Sequence, residues 1–212
     1  MNPPLPTGRA HLRRLLDALP ALERDVDRLD AWGRHLAGVL LAGGRLLAAG
    51  NGGSAAQAQH LTAELVGRYR DDRVPLSAIA LHAETSSVTA IVNDYGADEV
   101  FARQVRAHGR PGDVLLALST SGGSSNVLAA VEAASQRGMV TWALTGAAGN
   151  PLARMADDAV CIEAAATATV QEVHQVCVHL LCAATDTAVR AAMVDTTTAA
   201  QTIDRQPSEV VV

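Results

Sequence analysis

Hydrophobic positions along the chain alternate between short continuous runs and longer stretches with helical spacing. The short runs predict strands over residues 45–49, 76–81, 113–119, 140–145 and 159–162. The stretches between them have apolar positions three and four apart, which predicts helices over residues 54–68, 84–93, 97–108, 124–137 and 150–156. Because the strands do not alternate between apolar and polar positions and helices separate them, the pattern predicts a five-stranded parallel sheet with helices on both faces.

Further segments flank this alternating pattern. Residues 1–44 predict two helices that separate near Pro20 and end at Gly43-Gly44, and a last helix is predicted over residues 170–193. Residues 194–212 lose the periodic pattern, so we expect a disordered tail outside the fold. The prediction is therefore one α/β domain of three layers over residues 45–193, preceded by N-terminal helices that belong to it and mediate oligomerisation.

Composition and charge exclude several function classes. The chain has 212 residues and a net charge of −5, which argues against nucleic acid as the main partner because phosphate backbones need clustered cations. All of its cationic residues are Arg, so Schiff-base lysine chemistry and the P-loop are both excluded.

The cysteines and the N-terminus indicate where the protein works. Cys161, Cys177 and Cys182 are odd in number and form no Cys-x-x-Cys pair, which is typical of a reducing compartment. We see neither the apolar core of a secretion signal nor an apolar run long enough to cross a bilayer. The sequence predicts a cytoplasmic protein with no membrane partner.

Two loops rich in glycine and serine follow strands at the same predicted edge of the sheet. The glycine loop is Asn51-Gly52-Gly53-Ser54, and the serine loop is residues 119–124, Ser-Thr-Ser-Gly-Gly-Ser. Each loop leads into a helix whose first backbone N–H groups are free to bind an anion. Alternatively, Ser54 and Ser124 only cap their helices. Because neither loop matches a dinucleotide or nucleoside triphosphate motif, the pair favours a small phosphorylated ligand.

Titratable and amide side chains occur on two of the predicted helices. His60 and Glu64 are four residues apart and share one face of the helix behind the glycine loop, although such a pair is often merely intrahelical. In the last helix Gln171 and His179 lie roughly on one side. His174 points away from His179 and is expected to be structural.

Six motifs now make the sequence recognisable. They are Gly-Asn-Gly-Gly-Ser (50–54), Gln-His-x-x-x-Glu-Leu-x-Gly-Arg-Tyr (59–69), Asn-Asp-Tyr-Gly (93–96), Ser-Thr-Ser-Gly-x-Ser (119–124), Leu-Thr-Gly (144–146) and Gln-Glu-x-His-x4-His (171–179). Together they resemble phosphoheptose isomerases of the sugar isomerase (SIS) domain family, over roughly residues 30–190. The resemblance implies a homotetrameric enzyme that interconverts D-sedoheptulose 7-phosphate and D-glycero-D-manno-heptose 7-phosphate, the first step of nucleotide-activated heptose synthesis.

The same resemblance implies roles for individual residues. Glu64 and His179 match the acid–base pair of the family. The phosphate contacts correspond to Ser119, Thr120, Ser121 and Ser124. The remaining substrate contacts correspond to Asn51, Gly52, Gly53, Ser54, Glu64, Asn93, Asp94 and Gln171. A Zn²⁺ site reported for the family corresponds to His60, Glu64, Gln171 and His179.

These residue types suit the isomerisation that the resemblance implies. Isomerisation through an enediol needs one group to take and return a carbon-bound proton and another to move protons among the oxygens. A Zn²⁺ ion would polarise the carbonyl group. Gln171 and His179 are about 12 Å apart along their helix, so neighbouring protomers are expected to supply some of the ligands.

The chain also departs from the family pattern. Ala168 and Thr169 stand where the family often has an acidic and then a basic residue, and Gly123 replaces a usual Asn. Some relatives are non-catalytic and bind a replication initiator, and others sense sugar phosphates beside a DNA-binding segment. The initiator-binding relatives lack a carboxylate and an imidazole at the positions of Glu64 and His179. This chain has both, which favours the enzyme.

Overall fold

The fold centres on one parallel sheet of five strands. A computed structural model describes residues 7–203, with side chains described through Val194. The strands are β1 (Leu46–Gly50), β2 (Ala78–Ala80), β3 (Val114–Ser119), β4 (Val140–Thr145) and β5 (Asp158–Cys161). Their order in the sheet is β2-β1-β3-β4-β5, and every neighbouring pair is parallel. The predicted sheet is confirmed, but β2 is shorter than predicted because this edge strand pairs only with β1.

Eight α-helices surround the sheet in the described part of the chain. They are α1 (Gly8–Leu22), α2 (Val26–Leu41), α3 (Gly53–Val66), α4 (Thr85–Tyr95), α5 (Glu99–His108), α6 (Ser125–Gln136), α7 (Pro151–Met155) and α8 (Thr167–Ile203). Each helix between strands lies within a few residues of its predicted range. The hydrophobic pattern therefore located every element of the central α/β unit.

Two predicted boundaries are corrected. Pro20 lies inside α1, and the break before α2 is a 3-10 turn over Glu23–Asp25. A proline removes only its own N–H and crowds the preceding turn, so the helix ends shortly after it and not at it. The backbone of α8 continues to Ile203, past the predicted end at 193, since no Gly or Pro interrupts it. Of the predicted tail, residues 204–212 lie outside the described residues.

Both faces of the sheet are buried, which produces the three predicted layers. On one face Leu46, Ala48, Leu116 and Leu118 pack in a cluster with apolar residues of α1, α2, α3 and α8. On the other face, Leu47, Ala49, Leu115 and Ala117 pack in a cluster with apolar residues of α5, α6 and α7. Consecutive strand residues face opposite sides, so burial of both faces explains why the strands are apolar at every position.

One helix of the described residues is long and apolar enough to cross a bilayer by length and composition alone, the Thr167–Val194 part of α8. That helix instead packs against α1, α2, α3 and β4. Val173, Cys177 and Val178 of α8 are fully buried in the core cluster. Its apolar character is therefore explained by its place in the core.

The sheet order places both loops at one crevice. β1 and β3 are neighbours, but β1 connects through α3 to β2 on one side and β3 connects through α6 to β4 on the other. Ligands of such doubly wound sheets bind beyond the strand carboxyl ends at this reversal of strand order. The glycine loop follows β1 and the serine loop follows β3, so the crevice lies between them.

Candidate active site

The glycine loop makes a tight entry into α3. Gly52 is the N-cap residue at a φ of +55°, a conformation that favours glycine, and its side-chain-free position leaves the first N–H groups of the helix uncapped. The alternative that Ser54 only caps this helix is excluded, because Gly52 is the N-cap residue and Ser54 lies buried within α3. At Gly53 a Cβ atom would lie 2.5 Å from Nε2 of Gln171. Glycine at this position therefore lets α8 approach the loop closely.

Hydroxyl groups converge in the serine loop. Oγ of Ser119 lies 3.4 Å from Oγ of Ser121 and 3.3 Å from Oγ of Ser124, and the Gly122 N–H donates to it at 3.2 Å. Ser124 is the N-cap residue of α6, yet its side chain makes no capping hydrogen bond. Thr120 is half-buried between these residues. The hydroxyls and the start of α6 thus form a compact group of donors, an arrangement typical of anion sites.

A pair of side-chain amides joins the two loops. Nδ2 of Asn51 donates to Oδ1 of Asn126, and Nδ2 of Asn126 donates back to Oδ1 of Asn51, both at 2.9 Å. Asn126 lies in the first turn of α6, just after the serine loop. Sequence reasoning missed it. Its only signal was its place two residues after Ser124 at the start of a helix.

Three of the predicted catalytic and metal-binding side chains meet between α3 and α8. Nε2 of His60 lies 3.3 Å from Oε1 of Glu64 and 3.1 Å from Nε2 of His179. We call these three residues the acid–base cluster. The side chain of His60 is 42% exposed and that of Glu64 is 20% exposed, so the cluster is open to solvent. The cluster forms within one chain, so these contacts need no second protomer.

Two residues without a predicted role complete the surroundings of His179. Nε2 of Gln175 lies 3.1 Å from Nε2 of His179, and the ring of Tyr69 packs against the imidazole with centroids 5.7 Å apart. Gln175 precedes His179 by one helical turn, a spacing that could have identified it. Tyr69 belongs to a recognised motif, but its contact depends on the chain path after α3.

Gln171 lies apart from the acid–base cluster. Its side chain lies against Gly53, and its carbonyl oxygen accepts a hydrogen bond of 2.6 Å from Nε2 of Gln57. Gln57, which carried no prediction, is buried, and its Oε1 has no partner among the described residues. Gln171 is therefore close to the glycine loop and well separated from His179, as their spacing along one helix requires.

His174 is structural, as predicted. It is fully buried, and its Nε2 bonds to the carbonyl oxygen of Thr145 at 3.1 Å. Burial lowers the pKa of His174 to about 4, while the hydrogen bond to Thr145 acts in the opposite direction. The imidazole is neutral at physiological pH and ties α8 to the end of β4.

The other predicted substrate residues lie at the carboxyl end of α4. Asn93 and Asp94 are exposed, and Nδ2 of Asn93 donates to Oδ1 of Asp94 at 2.7 Å. Within the described side chains, no hydrogen bond joins either residue to the glycine loop, the serine loop or the acid–base cluster. Their role as substrate contacts stays a prediction.

Two pairs of donor atoms in the acid–base cluster have the spacing of zinc ligands. Across residues 7–194, no group of three or more His, Cys, Asp and Glu side chains is arranged to hold a metal. His60 nevertheless makes close pairs with His179 at 3.1 Å and with Glu64 at 3.3 Å. Two donors about 2.1 Å from a tetrahedral Zn²⁺ lie roughly 3.4 Å apart, so each pair taken alone has the spacing of two zinc ligands.

The positions that depart from the family pattern differ in their surroundings. Ala168 is exposed, whereas Thr169 is fully buried and its hydroxyl has no partner in the described part of the chain. Gly123 is exposed, and a Cβ atom there would lie 4.0 Å from Oγ of Ser121. The serine loop therefore has room for the larger residue that the family often carries at this position.

Comparison with known proteins agrees with this arrangement of loops and helices. A family model described as SIS domain matches residues 10–146, which include β1 to β4 and both loops. The phosphoheptose isomerase of Streptomyces coelicolor is 65% identical over 179 residues, or 84% of this chain and 78% of that protein. The chain therefore belongs to the phosphoheptose isomerase family of SIS domain proteins.

Solved structures agree with the fold and the family. A phosphoheptose isomerase from Neisseria gonorrhoeae has a TM-score of 0.78 and 42% identity over 84% of this chain and 96% of that chain. Another from Francisella tularensis has a TM-score of 0.80 and 35% identity over the same shares of the two chains. The resemblance inferred from the six motifs is confirmed.

Proposed function

We propose that this enzyme interconverts D-sedoheptulose 7-phosphate and D-glycero-D-manno-heptose 7-phosphate. The observation that carries the proposal is the contact of His60 with both Glu64 and His179, behind two anion-binding loops. A carboxylate and an imidazole side by side supply the two proton-transfer groups that aldose–ketose isomerisation needs. The non-catalytic alternatives give no reason for this pair.

The separation of loops and cluster suits a long substrate. His60 follows Gly53 by seven residues, so the cluster lies about 10 Å deeper along α3 than the glycine loop. We infer that Ser119, Ser121 and Ser124, with Thr120, bind the phosphate on C7. Asn51 and Gly52 then contact the polyol chain, which places C1 and C2 toward the cluster.

The proposed reaction is a balanced pair of proton transfers. Glu64 removes a proton from C1 of the ketose, which forms the enediol, and returns a proton to C2. His179 moves a proton from the C1 hydroxyl to the oxygen on C2. The contact of His60 with both groups holds the carboxylate and the imidazole on the same side of the substrate.

We also propose a zinc ion at this position. His60, Glu64 and His179 would hold it through nitrogen and oxygen donors, and Gln171 stays a predicted ligand whose side chain would have to move from Gly53. When bound, such an ion polarises the substrate carbonyl and stabilises negative charge on its oxygen. The side chains of this chain position the substrate and transfer its protons.

We infer self-association, as a homotetramer, and a cytoplasmic location. Leu12 and Leu16 of α1 are 55% and 57% exposed, which supports an apolar contact between copies of the N-terminal helices. Cys161, Cys177 and Cys182 are free thiols, which suits a reducing compartment.

A coupled assay tests the proposed function directly. Purified protein is incubated with sedoheptulose 7-phosphate and, separately, with ketose phosphates of five and six carbons, each with and without Zn²⁺. We expect turnover to aldose with the seven-carbon substrate and much lower turnover with the shorter ones. Calorimetric binding of sedoheptulose 7-phosphate without any turnover would favour the sensor alternative and contradict the proposal.

A further inference from the structure

A buried ion pair joins the loop after α3 to α8. Nε of Arg73 donates to Oδ1 of Asp186 at 3.0 Å, and both side chains are only 2% exposed. Neither residue belongs to a recognised motif or to the predicted site. A buried charge pair is costly to desolvate, so its presence calls for a specific structural reason.

The guanidinium of Arg73 caps the carboxyl end of α3. Its nitrogen atoms donate to the carbonyl oxygens of Glu64 and Leu65, both at 2.7 Å, and to that of Gly67 at 3.1 Å. The last carbonyl groups of a helix lack partners within the helix, and a cation there also interacts favourably with the helix dipole. One of the capped carbonyls belongs to Glu64 itself, the proposed proton-transfer residue.

Asp186 connects the same guanidinium to α8. It follows His179 by seven residues, which places it on the same side of the helix about 10 Å further along. Arg73 therefore contacts the backbone of Glu64 on one helix and, through Asp186, the helix that carries His179.

Contacts between α3 and α8 form an ordered series. Gly53 and Gln57 meet Gln171, then His60 meets His179, and the end of α3 meets Asp186 through Arg73. Later residues of α3 meet later residues of α8, so the helices run in the same direction. Along both helices, the Arg73–Asp186 pair lies on the carboxyl-terminal side of the acid–base cluster. The Gln171 contacts lie on its amino-terminal side.

The pKa of a neighbouring thiol, that of Cys182, agrees with this geometry. Burial, followed by the negative charges of Glu64 and Asp186, raises the pKa of Cys182 to about 12, and Arg73 acts in the opposite direction. Cys182 thus lies within the fields of all three residues. The ion pair and the proposed catalytic carboxylate therefore lie close to the same buried thiol.

We propose that Arg73 and Asp186 are positioning residues for the isomerase reaction, which set the axial register of α3 against α8 and thereby the placement of Glu64 relative to His179. This inference rests on the proposed function. Neither residue contacts the substrate. A small shift of the register would move a carboxylate and an imidazole that must address adjacent carbons of one substrate, and a misplacement of about 1 Å costs on the order of 100-fold in rate.

The contacts of Arg73 and Asp186 determine which variants test this proposal. Arg73→Lys keeps the positive charge but cannot reach Asp186 and the carbonyls of α3 together. Asp186→Ala removes the acceptor, whereas Asp186→Asn retains an oxygen that accepts from Nε of Arg73. Asp71→Ala is a control matched to Asp186→Ala, since it removes the exposed contact of Asp71 with Arg190, which also joins this loop to α8.

A further control separates register from stability. Val189 is fully buried in α8 and takes no part in the ion pair, so Val189→Ala lowers stability without touching Arg73. For every variant, kcat, KM and the melting temperature are measured on the full chain. The ring signals of His60 and His179 are recorded by NMR on histidine-labelled protein, with exposed His108 as an internal reference.

The inference expects a specific pattern of results. Arg73→Lys and Asp186→Ala lower kcat about 10- to 100-fold with KM changed less than about twofold, and they shift the His60 and His179 signals but not that of His108. Asp186→Asn restores most of the loss, and Asp71→Ala resembles the unmodified protein. Val189→Ala lowers the melting temperature and keeps kcat.

Other results would overturn it. Wild-type kcat and unshifted ring signals in Arg73→Lys would exclude a positioning role, as would an equal loss of kcat in Val189→Ala at the same melting temperature. If the unmodified protein shows no isomerase activity, the proposed function fails, and the ring signals alone still decide whether the ion pair sets the register of the two helices.

Discussion

Nε2 of His60 and Nε2 of His179 lie 3.1 Å apart, although 119 positions separate the residues in the chain. Two N–H groups cannot face each other favourably at this distance, so at least one of the two nitrogens presents a lone pair. The pair therefore either shares a proton or binds a cation. Both possibilities place proton or charge chemistry beside Glu64, which contacts the same nitrogen of His60.

The acid–base pair can be tested by substitution. Glu64→Gln and His179→Ala should each lower kcat by a factor on the order of 100 to 10,000, because each removes a proton-transfer group. Circular dichroism should show an unchanged fold, since both side chains are partly exposed. His108→Ala, at an exposed histidine of α5, serves as the control. Retained activity in both variants would refute the assignment.

Zinc binding can be measured without an activity assay. Calorimetric titration of chelator-treated protein with Zn²⁺ should show binding that His60→Ala weakens strongly, because His60 takes part in both close donor pairs. Chelation should also lower the turnover of the unmodified protein. The control is His35→Ala, whose exposed imidazole lies on α2. Equal Zn²⁺ affinity in both variants would exclude a site at the acid–base cluster.

The serine loop predicts an effect on substrate affinity. Ser119→Ala removes the hydroxyl around which Ser121 and Ser124 gather and should raise KM about tenfold, which corresponds to the loss of about 1.4 kcal/mol from hydrogen bonds to a charged phosphate. Ser135→Ala, at an exposed position of α6, is the matched control. An unchanged KM in Ser119→Ala would mean that the phosphate binds elsewhere.

The close approach of the Gln171 side chain to Gly53 predicts an effect on substrate affinity. In Gly53→Ala the added Cβ would displace the flexible end of Gln171, so substrate affinity should fall several-fold while the melting temperature changes little. Gly38→Ala is the control, because nothing lies within 4 Å of a Cβ at that position of α2. An enzyme with the KM of the unmodified protein would show that Gln171 does not contact substrate.

Buried His174 predicts how stability depends on pH. Its pKa is lowered to about 4 in the folded protein, against 6.5 for the free group, so between these values the unfolded chain binds more protons. The contribution of His174 to the free energy of unfolding is complete above pH 6.5 and is lost as pH falls toward 4. Between pH 7.5 and pH 5 the free energy of unfolding should therefore fall by about 2 kcal/mol.

Urea unfolding at the two pH values measures this loss. His174→Gln should reduce the pH dependence of the free energy of unfolding, even if it lowers stability at both pH values. His108→Gln should retain the full dependence, since that side chain is exposed. The same pH dependence in His174→Gln and in the unmodified protein would contradict the assignment to His174.

Local pattern predicted most of the architecture. The apolar runs located all five strands, because strands covered on both faces are apolar at every position and differ visibly from helical spacing. The two loops were found from composition alone, since glycine and serine at the start of a helix serve an anion site. The errors concern the ends of helices, since α1 does not end at Pro20 and α8 does not end at residue 193.

The candidate site was predicted in part. Motifs identified His60, Glu64 and His179, and they do meet. Sequence spacing also indicated that Gln171 and His179 are too far apart for one contact, which the structure bears out. Asn126, Gln175 and Arg73 were missed because their contacts depend on residues that are distant in sequence or on side-chain direction.

The sequence by itself determined the class of fold, the positions of the glycine loop and the serine loop, and the presence of a carboxylate and imidazoles behind them, because periodicity and composition act over short stretches of chain. Only the tertiary structure decided that β1 and β3 lie side by side, that α3 and α8 run in the same direction, and that Arg73 joins them through Asp186. These relationships depend on how covered faces pack together, a property of the whole chain that no short stretch encodes.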